Sequence, residues 1–124
     1  MRALALALPQ AVEQPHHAMT SFRVAGKIFA TVPPDGDRVH VFLEPAQAHE
    51  YAATEPAVEL LWWGKRLSGV RVELAAACAE LVAELLDQAW RRRAPARLVA
   101  RDGLTGADGL TGADGLTGAD GPPG

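Results

Sequence analysis

Cationic and aromatic side chains recur together along the chain: Arg23, Lys27 and Phe29, then His40 and Phe42, then Lys65 and Arg66, then Arg71, whereas Trp62, Trp63 and Trp90 read as core or interface packing. Guanidinium and ammonium groups neutralise phosphates while aromatic rings offer stacking faces, so this mixture suits nucleic acid. The densest basic run is Arg91-Arg92-Arg93, with Arg97 and Arg101 after it. It falls at a helix end, where the macrodipole favours each exposed cation by roughly 0.3–1 kcal/mol, so a solvated helix terminus accounts for it. Catalysis finds fewer footholds. His16 and His17 are adjacent, and in an extended segment their rings diverge; His40 and His49 have no companion at ligand spacing. Cys78 falls on an apolar helical stripe and reads as an inert core thiol. Thr20, Ser21 and Ser68 lack a base with its orienting partner, and no G-x-x-x-x-G-K-S/T phosphate loop occurs. The sequence therefore calls for no catalytic residue, no metal and no cofactor, and it gives no positive sign of an enzyme.

The elements that must hold these residues follow from pattern and punctuation. Residues 2–8 form a short helix that Pro9 ends. Residues 21–24 and 27–32 read as strands joined by an Ala25-Gly26 turn. Pro33-Pro34-Asp35-Gly36-Asp37 is a turn, and residues 38–43 alternate as a third strand. Pro45 opens a helix over residues 45–54. Residues 58–63 lead to Gly64, and residues 67–74 alternate again as a strand. Cys78, Leu81, Val82, Leu85, Leu86, Ala89 and Trp90 keep the spacing of one buried helical stripe, with Pro95 beyond its end. The resulting order, α-β-β-β-α-β-α, predicts an α+β fold with an antiparallel sheet and helices packed on one face.

The whole chain is 124 residues, enough for one folded domain. Charge divides unevenly. Residues 1–101 hold all 12 basic groups and 11 acidic ones, a net +1, whereas Asp102, Asp108, Asp114 and Asp120 give the remainder −4. From Asp102 the chain repeats Asp-Gly-Leu-Thr-Gly-Ala three times and ends in Asp-Gly-Pro-Pro-Gly, a composition that predicts a disordered tail over residues 102–124. Its period fits neither collagen nor a calcium-binding β-roll. Its aspartates are expected to weaken anion binding at the basic cluster of residues 91–101. The single cysteine excludes an internal disulfide framework and makes a reducing cytoplasm the expected compartment. Ala3 to Leu8 alternates Ala and Leu, but that run is shorter than the roughly 7–15 apolar residues of a signal-peptide core, and no apolar run nears the ~18 residues that would span a bilayer. No membrane partner is expected.

The ordered motifs also carry a family signature. Leu8-Pro9, Pro15-His16-His17, Ser21-Phe22-Arg23-Val24-Ala25-Gly26-Lys27-Ile28-Phe29-Ala30-Thr31, Trp62-Trp63-Gly64-Lys65-Arg66-Leu67-Ser68-Gly69-Val70-Arg71-Val72 and Ala89-Trp90-Arg91-Arg92-Arg93-Ala94-Pro95 follow one another in order. Over residues 1–101 the chain resembles the MmcQ/YjbR family. The resemblance implies a frataxin-like (CyaY-like) α+β fold of the double-wing, DNA-binding-like kind. The family's first helix usually starts earlier, so this chain is expected to begin late within it. The repeat tail is not part of the family pattern.

Strand alternation supplies a separate suggestion. If Val39, Val41, Leu43, Val70, Val72 and Leu74 face the helices, the bare face shows His40, Phe42 and Arg71 together with Arg23, Lys27 and Phe29, and Lys65 and Arg66 extend it beside Gly64. The expected function is non-catalytic binding of DNA or RNA on that face. One competing reading makes it an ordinary half-solvated sheet, with Phe29 and Phe42 covered by the Trp62-Trp63 loop. Another makes the Trp62-Trp63 loop a protein-interaction or small-ligand site, and a weaker one an enzyme pocket including His16, His17 or His40. A charge of +1 gives residues 1–101 only a faint long-range field for nucleic acid.

Overall fold

A computed structural model describes the backbone of residues 1–104 and the side chains of residues 1–100. The elements run α1 (Arg2–Leu6), β1 (Val12–His16), β2 (Met19–Val24), β3 (Lys27–Val32), β4 (Arg38–Phe42), α2 (Pro45–Thr54), β5 (Val58–Trp63), β6 (Arg66–Glu73), α3 (Ala79–Arg93) and α4 (Ala96–Leu104). The six strands form one sheet in the order β1-β2-β3-β4-β6-β5, with every neighbouring pair antiparallel. The α+β class and antiparallel sheet are as the sequence indicates. The chain adds β1, β5 and α4 to the expected order. β1 gives no alternation because four of its five residues are exposed on a sheet edge, where Pro15 can be accommodated. α4 continues to Leu104, past the expected boundary at residue 101, and the rest of the expected disordered tail lies outside the described residues.

The core forms where alternate strand residues meet the helices. Val39 and Val41 on β4 sit opposite Val72 and Val70 on β6, and all four are fully buried. They share one cluster with Leu85, Leu86, Ala89 and Trp90 of α3 and Ala48 of α2. Each buried valine or leucine among them contributes about 1.5–3 kcal/mol through removal from water. α3 lies against β3 and β4, α2 against β5 and β6, and α1 against α3. Among the described residues no helix is long and apolar enough to cross a membrane.

Two expected placements are corrected. Phe29 belongs to the core and is fully buried, not displayed on the bare face. The cause is a bulge: Phe22 pairs with Ala30 and Arg23 with Ile28, so Phe29 is skipped and side-chain parity flips at that point. Phe29 and Ala30 are consequently both buried. Cys78 is exposed rather than packed, because it is the N-cap residue of α3 in an extended conformation, one position outside the helical stripe.

Candidate anion-binding groove

Antiparallel topology brings several element ends to one end of the sheet. β3 begins there with Lys27, β4 ends with Phe42, and the Gly64-Lys65 turn joins the end of β5 at Trp63 to the start of β6 at Arg66. α2 starts at Pro45 immediately after β4, and α3 arrives with Arg92 and Arg93 in its last turn. Between them lies a groove of ≈ 680 Å³. Lys27, Arg66, Arg92 and Arg93 line it with a single carboxylate, Glu44. Phe42, Ile28, Leu67 and Trp63 supply its apolar wall. Trp63 is 73% exposed, an unusual cost for so large an apolar group unless something covers it.

The cations are poorly compensated. Arg92 Nε donates to Glu44 Oε2 at 2.8 Å, and this bond, with the Arg92 charge behind it, holds the Glu44 carboxyl below its usual range. Arg92 Nη1 and Arg93 Nε are buried and have no hydrogen-bond acceptor among the described residues. Burial first, then the neighbouring charge of Arg92, lowers the pKa of Arg93; Glu44 opposes this and Arg66 adds to it. A guanidinium remains protonated throughout the physiological range, so Arg93 stays a cation in spite of them. Four cations facing one carboxylate leave the groove net positive, and an incoming anion offsets that charge. The arrangement can therefore hold an anionic group by charge-assisted hydrogen bonds, with an aromatic surface beside it.

Comparison with known proteins bears on the same segment. The YjbR family model matches residues 6–92, well over half of the chain. The chain belongs to the YjbR family. Neither a curated protein nor a solved structure matches it. The YjbR match contains Lys27, Phe42, Glu44, Trp63, Arg66 and Arg92, and it stops one residue short of Arg93.

Within the YjbR fold the residues singled out from sequence separate into three places. Lys27, Phe42 and Arg66 line the groove, and Lys65 is exposed in the turn next to it. The bulge at Phe29 is what turns Lys27 away from the bare face: it pairs with the core residue Val24. Arg23, His40 and Arg71 stay on that face, where a carboxylate answers Arg71. Arg71 Nη2 donates to Glu59 Oε1 at 3.0 Å, although its Nε is buried without an acceptor, and Arg23 Nε donates to Ser21 Oγ at 3.0 Å. His40 stands opposite Arg71 in the register, and burial followed by the charges of Arg71 and Arg38 lowers its pKa. Phe29 is in the core. Sequence reasoning missed Glu44 and assigned Arg92 and Arg93 to a solvated helix end instead of the groove. A signal for Arg93 existed: it lies four residues after Ala89 and seven after Leu86, so it continues the buried stripe of α3, where a solvated cation would not be placed. Arg91, which pairs with Asp87 at 2.9 Å one turn back, is the member of the run that fits a solvated helix end.

Proposed function

We propose that this chain is a non-catalytic nucleic-acid-binding domain that holds single-stranded DNA or RNA at the end-of-sheet groove. The observation that carries the reading is the exposed Trp63 indole on the wall of a groove with four cations against one carboxylate. Cations engage phosphates regardless of sequence, and each base stacked on an aromatic ring adds about 1–3 kcal/mol. A single strand leaves its base faces free for such stacking, which a duplex does not. The bare sheet face is a weaker candidate, because Glu59 answers Arg71 there and Phe29 is absent from it.

Titration of intrinsic fluorescence with a single-stranded oligonucleotide tests this. Trp63 emission should be quenched at low salt, with a log–log salt slope of about −0.7 for each phosphate contacted. Trp63→Ala and Arg66→Ala should each weaken binding, the second also flattening the slope. Absence of saturable quenching at low salt would overturn the proposal. A second reading, a protein-partner surface, draws on Trp62 and Trp63 together, exposed by 51% and 73%. It requires Trp62→Ala to disrupt binding of a protein partner while Arg66→Ala does not.

A further inference from the structure

We propose that the guanidinium cluster of the groove takes a terminal phosphate monoester, so that a bound strand is anchored by its phosphorylated end. This deepens the nucleic-acid reading and rests on it. Arg66, Arg92 and Arg93 converge on one locus with Glu44 as the single opposing charge. Glu44 accepts from Arg92 Nε at 2.8 Å, and Arg66, Arg92 and Arg93 all line the groove around that pair. The three guanidinium groups outweigh Glu44 by two charges, which a doubly ionised phosphate monoester matches and a singly charged diester does not. A monoester brings three terminal oxygens and about −1.5 to −2 charge; an internal diester brings two and −1.

The distribution of cations argues the same way. Sliding an uninterrupted strand over a protein calls for a row of cations that tracks successive phosphates. Here the neighbouring sheet face spreads Arg23, Arg38 and Arg71 over three strands, with Arg71 held by Glu59, whereas the groove gathers four cations in one place. Basic charge is concentrated at one end of the sheet, with Trp63 beside it to stack on the last base, whose outer face has no neighbour.

Three versions of one short oligothymidylate distinguish the possibilities: phosphorylated at its 5′ end, phosphorylated at its 3′ end, and with hydroxyls at both ends. A phosphorylated version should bind the full-length chain about tenfold more tightly than the unphosphorylated one, the effect of one added charge-assisted hydrogen bond. The preference should shrink as pH falls from 7.5 to 5.5, because the second ionisation of a monoester lies near 6. It should also collapse in Arg93→Gln, and in Arg66→Gln, whose exposed position leaves folding intact. A nucleoside monophosphate that competes as well as the phosphorylated strand would overturn the strand-end assignment and make the site one for free nucleotides. Equal binding of all three oligonucleotides, or a preference unchanged in both variants, would overturn the inference while leaving the nucleic-acid reading standing. If none of the three binds, the reading itself falls.

Discussion

Gly69 is the residue whose replacement costs most for its size. It sits opposite Phe42 on β4, and a Cβ there would come 2.0 Å from the Val41 carbonyl oxygen and 2.8 Å from the Leu43 nitrogen. Both are backbone atoms, so no rotamer change relieves the clash; β4 and β6 would have to part. Gly69→Ala should therefore lose on the order of 3 kcal/mol or more in urea unfolding. Gly64→Ala, with open space around it and only its φ of +60° to pay for, should lose about 1–2 kcal/mol. Similar losses for both would mean that the strand contact is not what Gly69 serves. His40 gives a pH-dependent counterpart. Burial, then Arg71 and Arg38, depress its folded pKa below the unfolded value near 6.5, with Asp35 opposing. The unfolded chain then binds the proton more readily, so stability is full above that unfolded value and declines as pH falls through it toward the folded one. His40→Gln should remove this part of the slope. Parallel unfolding midpoints for the two proteins between pH 7.5 and 5 would show that His40 does not contribute.

Elements with strong punctuation were legible from sequence, and those without it were not. β3 and α2 have the expected limits, residues 27–32 and 45–54, because Gly26, Pro33 and Pro45 mark their ends. β1 escaped because an exposed edge strand has no buried side to impose alternation. The candidate site was half legible for a related reason. Period-two counting places side chains correctly until a bulge, and the bulge at Phe29 moved both that ring and Lys27 off the face to which counting assigned them. Arg92 needed tertiary information, since a helix end reads the same in sequence whether water or a groove lies beyond it, whereas Arg93 could have been placed by its position on the buried stripe of α3. The β2–β3 hairpin itself makes a prediction. Ala25 and Gly26 both have positive φ, 52° and 79°, the pattern of a type I′ turn that prefers Asn-Gly. Alanine pays about 1–2 kcal/mol in that region and asparagine less, so Ala25→Asn should raise stability by about 0.5–1 kcal/mol. Thermal unfolding should shift upward by a few degrees; an unchanged or lower midpoint would contradict the turn assignment.

Across the whole molecule the groove is a local concentration of positive charge in a nearly neutral body: residues 1–101 net only +1, whereas the groove alone carries an excess of three. Its field fades within a Debye length of about 8 Å at physiological salt, so the groove wall must be held rigidly to be effective. Trp90 anchors the helix that carries two of its cations. It is fully buried, and its indole Nε1 donates to the Pro9 carbonyl at 2.9 Å, tying the end of the first helical segment to α3 across 81 residues of sequence. Arg92 and Arg93 follow directly on the same helix. Trp90→Phe leaves the Pro9 carbonyl without its donor and opens a void where the larger ring lay, and should cost about 2–4 kcal/mol. The same variant sorts the fluorescence. Trp90 is the indole shielded from water, while Trp62 and Trp63 are exposed. Trp90→Phe should therefore remove the blue side of the emission band yet keep the oligonucleotide-induced quenching, and Trp63→Phe should do the reverse. Quenching that disappears with Trp90 would place the ligand near the α1–α3 junction and away from the groove.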